Sequence, residues 1–268
     1  MRRISTLSPH HASTKDRPRP TTNFGPPLNS RAYQSPSEAV LSVRELPRIP
    51  AWKRAIDLTC CLIALPFFCL ITVLMAIGLK LTSPGPILFR QERVGFKGSR
   101  FICYKFRTMA VCADTKSHQE YYDNLVTSKA PMVKLDSKGD KRVIPGGWIL
   151  RATGLDELPQ IINIFQGEMS LVGPRPCLQY EYDRYEPWHR GRFHAVPGLT
   201  GLWQVSGKNR TTFDEMVRLD IRYSETSSFW LDLKIILMTP TALITQVSDT
   251  RMARKSHGNP ARSQQGTI

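Results

Sequence analysis

From Leu58 to Leu79 the chain carries no charged side chain. The stretch is about 22 residues, long enough at 1.5 Å per residue to match the hydrocarbon layer of a bilayer. Helices of water-soluble cores rarely exceed about 18 apolar residues without a charge, so the segment reads as a membrane helix. Whether it crosses is a separate question. Basic residues flank both ends: Arg44, Arg48, Lys53 and Arg54 before it, and Lys80, Arg90, Arg93, Lys97, Arg100, Lys105 and Arg107 after it. Spanning segments usually concentrate such residues on one side. Pro66, near the middle, removes a backbone donor and can bend a helix. Both features favour a helix–break–helix that dips in and returns to the cytosolic face, its exposed backbone met by Ser or Thr hydroxyls or by neighbouring protein. A plain span is the alternative.

Around this segment the chain divides into four parts. Residues 1–50 are rich in Pro, Ser, Thr and Arg without apolar periodicity, and read as a disordered basic arm; the apolar run starts too late for a signal peptide. Residues 51–82 hold the membrane helix, 83–247 a catalytic domain, and 248–268 a second disordered tail. Within 83–247, Ile87-Leu88-Phe89 and Phe101-Ile102-Cys103-Tyr104 read as short strands turned by Gly95 and Gly98. Part of 110–140 is predicted helical, as are Asp156 to a cap at Gly167, Asp214–Tyr223, and Phe229 to about Gln246. The last of these is amphipathic and fits either an interfacial helix or a core helix. The expected fold is α/β (α+β): a largely helical cytosolic domain with a small sheet, carried on a re-entrant membrane helix and interfacial amphipathic helices. With 41% hydrophobic residues the chain has material for a sizeable core. The net charge of +15 calls for an anionic partner, whether nucleic acid, anionic lipid or phosphorylated substrate. The 6 cysteines form no Cys-x-x-Cys pair and read as reduced, non-ligating thiols of a body facing the cytosol.

Chemistry concentrates in Arg151-Ala152-Thr153-Gly154-Leu155-Asp156-Glu157-Leu158-Pro159-Gln160. Adjacent helical residues point about 100° apart, so two carboxylates converge only at a terminus or turn, which Pro159 marks. Spacing alone equally fits Asp156 as a helix N-cap and Glu157 as a first-turn acid favoured by the dipole. In Gly173-Pro174-Arg175-Pro176 a stiff backbone presents an Arg fork suited to bidentate phosphate contact. Lys105 and Arg107 bracket an aromatic at a strand end, and Arg142 and Arg151 precede the acids. Each cation alone fits a solvated surface; together with the acid pair they describe a site for a polyanion and a divalent metal. The glycine-punctuated loop Pro197-Gly198-Leu199-Thr200-Gly201-Leu202-Trp203-Gln204-Val205-Ser206-Gly207-Lys208 fits either a backbone anion cradle or a tight structural turn.

At these residues the chain resembles the bacterial sugar transferase family, the monotopic phosphoglycosyl transferases that begin exopolysaccharide, O-antigen, capsule and glycoprotein glycan assembly. The likeness runs from about Lys53 to about Gln246. It includes Lys53-Arg54 with Asp57, Ser83-Pro84-Gly85-Pro86, Phe89 with Gln91 and Arg93, Lys105 to Met109, Leu155 to Gln160, Gly167 to Pro176, Pro197 to Gly201, and Trp203-Gln204. The chain is similar to the short form, including members that initiate rhizobial exopolysaccharide. It departs from the family at Lys141, where Pro is usual, at Lys208, where Arg is expected, and at Gly146 and Trp148.

The resemblance implies that Asp156 attacks the sugar-linked phosphate of a UDP-sugar, expels UMP, and passes the sugar-phosphate to polyprenyl phosphate. It implies Mg²⁺ with Glu157 as ligand, and Lys105, Arg107, Arg142, Arg151, Arg175, Gln204 and Asp220 as substrate-site residues. Asp220 also fits a plain surface acid of its helix. The implied partners are the UDP-sugar, the polyprenyl acceptor and membrane lipid; nucleic acid is not expected, since no helix-turn-helix, zinc or RNA-binding signature appears. The rival class is a non-enzymatic, membrane-anchored scaffold of a polysaccharide assembly complex.

Overall fold

The computed structural model describes residues 47–82, 85–110, 116–128, 130–132, 142–208 and 210–257. Most of the expected basic arm, Ser83-Pro84, Asp140, Lys141 and residues 258–268 lie outside them. The described protein is mostly helical with two small sheets.

Helix α1 spans Ala51–Thr82 and contains the whole uncharged stretch. Its helical course continues through Pro66, where the sequence favoured a break. Proline deprives the Leu62 carbonyl of its donor. Apolar residues on either side propagate helix for several turns each, and one missing bond does not end it. Lys53, Asp57, Cys61, Leu65, Phe68, Thr72, Met75 and Leu79, spaced three or four apart, are buried or half-buried. The opposite stripe of Ile63, Phe67, Leu70, Leu74, Ile77 and Leu81 is 53–82% exposed. A helix of bilayer-crossing length with an open apolar face is not the centre of a soluble core; it marks the chain as membrane-associated.

The basic pair before the apolar stretch belongs to the fold. Lys53 Nζ, 5% exposed as a residue, donates to the Val172 carbonyl (2.8 Å), the Tyr223 hydroxyl (2.8 Å) and Asp232 Oδ2 (2.5 Å). The Arg54 guanidinium donates to the carbonyls of Ile164 and Phe165, which end a short helix. Asp57 Oδ1 accepts from Ser170 Oγ and the Leu171 amide, both at 2.9 Å.

The predicted strands form an antiparallel hairpin, β1 (Leu88–Val94) with β2 (Arg100–Phe106), in register Leu88↔Phe106 to Val94↔Arg100. One end of α1 rests beside Phe101 and Cys103 of β2, through Cys61 and Phe68. Its other end, through Met75 and Leu79, rests beside Phe106. Then follow α2 (Lys116–Thr127), α3 (Gly147–Thr153), a 3₁₀ segment (Leu155–Gln160) and α4 (Ile161–Phe165). Strand β3 (Ser170–Val172) pairs in parallel with β4 (Gly198–Thr200). Parallel pairing needs a long crossover, here α5 (Gln179–Asp183) and a 3₁₀ segment (Pro187–His194). After α6 (Leu202–Val205), α7 (Phe213–Thr226) opens on a capping box in which Thr212 Oγ1 accepts from the Glu215 amide. Its inward stripe is Phe213, Met216, Val217, Asp220 and Tyr223. Helix α8 runs from Phe229 to His257, ten residues past the expected domain boundary at 247, so the stretch 248–257 expected as a disordered tail is helical.

Candidate active site

The acid pair is placed by a change of helix type. α3 closes at Gly154, whose φ of 74° lies in the left-handed region. The sequence predicts one helix from Asp156 to Gly167, but residues 155–160 wind as 3₁₀ before α4 begins. Pro159 has no N–H, and its ring crowds the carbonyl four residues back, so the tighter turn is the one available. The Glu157 amide accordingly bonds the Gly154 carbonyl at 3.0 Å. Gly154, not Asp156, holds the N-cap position; Asp156 and Glu157 both lie in the first turn. Asp156 is 7% exposed.

Glu157 is gripped by two cations. Lys105 Nζ, from β2, donates to Oε1 at 3.0 Å. Arg175 makes a two-point contact, Nη2 to Oε1 at 2.8 Å and Nη1 to Oε2 at 3.2 Å. Burial pushes the Glu157 carboxyl up, but Arg175 and Lys105 outweigh it, with Lys208 adding to the pull, and hold it well below the usual carboxylate range. The same contact, chiefly the charge of Glu157, pushes Arg175 above its ordinary value.

The Arg175 loop is fixed from both sides. Arg192 Nη2 donates to the Arg175 carbonyl (3.0 Å) and Arg93 Nη1 to the Pro176 carbonyl (3.2 Å). The loop then joins the end of β1, the Val94 amide bonding the Cys177 carbonyl at 2.8 Å. Gly173 cannot be replaced here, because a Cβ would stand 2.1 Å from the Val196 carbonyl oxygen. Beside the loop, Arg93, Cys103, Lys105, Gln160, Arg175 and Pro176 line a recess of about 10 Å³, room for roughly one water or one phosphoryl oxygen. Cations gathered around one carboxylate in this way suit a phosphorylated ligand.

The profile of the bacterial sugar transferase family matches residues 49–246, from the loop before α1 to Gln246 of α8. The chain belongs to the bacterial sugar transferase family. Among its relatives is the galactosyl transferase CpsE of Streptococcus agalactiae, 42% identical over 188 residues, covering 70% of this chain and 41% of that protein. The UDP-glucose:undecaprenyl-phosphate glucose-1-phosphate transferase of Caulobacter vibrioides is 40% identical over 223 residues, 78% of each chain. The exopolysaccharide production protein ExoY of Rhizobium meliloti is 35% identical over 191 residues, 71% of this chain and 84% of that one. This sugar transferase thus spans under half the length of the streptococcal relative and most of the other two.

Of the residues that the sequence assigned to the site, the fold brings together Asp156, Glu157, Lys105 and Arg175. Arg151 reaches Thr108 Oγ1 at 3.4 Å, and the Arg142 carbonyl accepts from the Ala110 amide, so both adjoin the segment leaving β2. Arg107 is 5% exposed and donates from Nε to the Pro86 carbonyl at 2.8 Å, bracing the approach to β1. Gln204 donates to the Leu199 carbonyl at 3.1 Å. Asp220 is not in the recess. It lies 1% exposed behind the Arg175 loop, 2.5 Å from Arg192 Nη2. Its position on the inward stripe of α7 is the reason. Burial pushes its carboxyl up to about 6, with Arg192 opposing.

The first part of the glycine-punctuated loop forms a tight structural turn in this sugar transferase. The Gly198 amide bonds the Pro174 carbonyl at 2.9 Å, and its Cβ would lie 2.0 Å from the Gly173 nitrogen. Residues 198–200 of the loop pair with β3. Arg93, Gln160 and Arg192 were not assigned to the site from sequence. Residues 91 and 93 share one face of a strand, and the Arg93 to Gln91 contact (2.7 Å) follows from it. Nothing local marks Arg192.

A divalent cation can be tested against these groups. Among the described residues no three His, Cys, Asp or Glu side chains cluster, so an all-protein cage is absent there. Mg²⁺ ordinarily takes one or two carboxylates and completes its shell with substrate phosphate and water. Glu157 accepts three hydrogen bonds of the roughly four its lone pairs allow. Oε2 takes only one of those three bonds, so a single carboxylate completed by substrate phosphate and water fits Mg²⁺ here.

Proposed function

We propose that this enzyme transfers a sugar-1-phosphate from a UDP-sugar to polyprenyl (undecaprenyl) phosphate at the cytosolic face of a bacterial inner membrane, initiating exopolysaccharide or another surface glycan. The observation that carries the reading is the setting of the acid pair. Glu157 is neutralised by Lys105 and Arg175 beside a small cation-lined recess, and Asp156, 7% exposed, precedes it in the same 3₁₀ turn. The names of the Caulobacter relative and of the undecaprenyl-phosphate galactose phosphotransferase of Salmonella typhimurium, 36% identical over 194 residues, support the same chemistry, and that of the rhizobial relative supports exopolysaccharide as its destination. Glucose or galactose is the proposed sugar.

In this reading an Asp156 carboxylate oxygen bonds to the sugar-linked phosphorus. The bond from that phosphorus to the bridging oxygen breaks, and UMP leaves with the electron pair. A phosphate oxygen of the polyprenyl acceptor then attacks the same phosphorus, and the Asp156 oxygen departs as carboxylate. Lys105, Arg175 and Lys208 face charge that grows on the phosphoryl oxygens. The stiff, doubly braced Arg175 loop means little reorganisation accompanies that step. Mg²⁺ held by Glu157, with Asp156 beside it, would neutralise diphosphate charge and help UMP leave.

Purified protein with polyprenyl phosphate, Mg²⁺ and a panel of UDP-sugars is expected to release UMP in step with a lipid-linked sugar diphosphate, fastest with UDP-glucose or UDP-galactose. No release from any UDP-sugar, in protein that is folded and seated in lipid, would leave the scaffold reading instead.

The membrane helix is proposed to re-enter rather than span, by a bend at Pro66 in place of the expected break, with residues 83–247 as the catalytic domain it carries. Support comes from α1 itself: Lys53 at its start and Leu79 near its end both bury against the same body. A helix leaving that body to cross a bilayer would carry one end about 30 Å away. The exposed Trp230, Leu237 and Ile244 of α8, and the aromatic pair Trp52–Phe229 beside them, are suited to the interfacial region. A single cysteine introduced at Ser5 is expected to be labelled from the cytosolic side, like the catalytic domain. Labelling from the periplasm would make α1 a true span.

A further inference from the structure

Helix α8 touches the acid pair's point of origin. Gln246, 6% exposed, donates from Nε2 to the Ala152 carbonyl at 2.9 Å and lies 3.4 Å from that of Arg151. These are C-terminal carbonyls of α3, groups that a helix end leaves without intrahelical donors. One turn back, Leu243 packs on the adjoining bend, its Cδ2 3.5 Å from where a Cβ on Gly154 would stand. Gly154 is the left-handed residue from which Leu155, Asp156 and Glu157 depart. The dyad's backbone is therefore held at its start by one amide of α8, 94 residues away in sequence.

We propose that Gln246 is a positioning residue for the catalytic dyad, fixing the α3 terminus so that Asp156 meets the sugar-linked phosphorus in line. This rests on the phosphoglycosyl transfer reading above. Gln246 lies about 160–180° around α8 from Trp230, Leu237 and Ile244, at 100° per residue, so the helix face proposed to meet lipid is backed by the face that aligns the acids. A displacement of about 1 Å at a reacting group costs on the order of a hundredfold in rate. A side chain that only tightens packing would change melting temperature without changing turnover by the folded protein.

The test uses full-length protein in lipid bilayer discs, with UMP release, melting temperature and disc association measured on each preparation. Gln246→Met keeps length and volume but has no donor; Gln246→Lys restores a donor in either protonation state. The expected result for Gln246→Met is a kcat lower by about ten- to hundredfold, a KM for the UDP-sugar changed less than about twofold, and unchanged disc association. Gln246→Lys is expected to recover most of kcat. Wild-type kcat in Gln246→Met overturns the proposal. So does a loss explained wholly by a smaller folded fraction, or a Gln246→Lys enzyme as slow as Gln246→Met. If Gln246→Met does not fold, Gln246→Asn, whose amide is retracted by one methylene, carries the same comparison. Wild-type protein and Asp156→Asn run alongside separate the levels: no UMP release by wild type removes the transfer reading, an active Asp156→Asn removes the nucleophile that Gln246 would position, and an inactive one beside a fully active Gln246→Met removes only the role of Gln246.

Discussion

Asp156→Asn is expected to lower turnover by on the order of 10⁴- to 10⁶-fold, the range seen when a covalent nucleophile or its essential partner is removed from an enzyme. Asn occupies the same volume and keeps one carbonyl oxygen, so the 3₁₀ turn and its bond from the Glu157 amide to the Gly154 carbonyl should survive. What is lost is a carboxylate able to form and release an acyl-phosphate bond. Glu157 is not expected to substitute, because Lys105 and Arg175 hold its carboxylate in a fixed place. Two measurements check this. Wild-type protein mixed with UDP-sugar and no acceptor should gain the mass of one sugar-phosphate, and the variant should not. Near wild-type turnover by Asp156→Asn to the same lipid product would sink the covalent mechanism and leave direct attack by the acceptor.

How much of this was legible beforehand depends on the range of each interaction. The uncharged stretch of α1, the β1–β2 hairpin and the amphipathic stripe of α7 announce themselves through local periodicity, because one face of each is buried. Pro159 likewise marked the turn that carries the acids. The three-residue strands β3 and β4 escaped, since their pairing is set by glycine backbones, Gly173 against Gly198, that meet across a crossover. That pairing puts the first residues of the glycine loop into packing against β3. Lys53 and Arg54 looked like a basic collar of a membrane segment; the acceptors that bury them lie more than 100 residues away. The clearest lesson is Asp220. The sequence offered it as a substrate-site residue or a plain surface acid, whereas it lies on the inward stripe of α7 with Phe213, Met216, Val217 and Tyr223, and no sequence pattern identified Arg192 as the partner awaiting it.

That partnership yields a prediction opposite to a role at the substrate. Asp220→Leu leaves the Arg192 guanidinium, 2% exposed, without its carboxylate. Removing one member of a buried ion pair typically costs about 3–5 kcal/mol, or roughly 6–20 °C in melting temperature for a domain of this size. The pH dependence has a defined sign. Burial raises the Asp220 carboxyl to about 6, against about 3.9 when unfolded. Between those values the folded protein holds a proton that the unfolded chain has released, so this group makes stability fall as pH rises through that window. The variant should lack that contribution. Pairing Asp220→Leu with Arg192→Met removes both charges, and apolar replacement of a whole buried pair is often neutral; most of the lost stability should return. Turnover should not, because Arg192 also holds the Arg175 carbonyl at 3.0 Å, and Arg175 fixes Glu157. Thermal melts and UMP-release kinetics on the same preparations decide the matter. An Asp220→Leu enzyme that melts like wild type but fails to turn over would return Asp220 to the substrate. A double variant restored in both stability and rate would show that bracing of the Arg175 loop by Arg192 is dispensable.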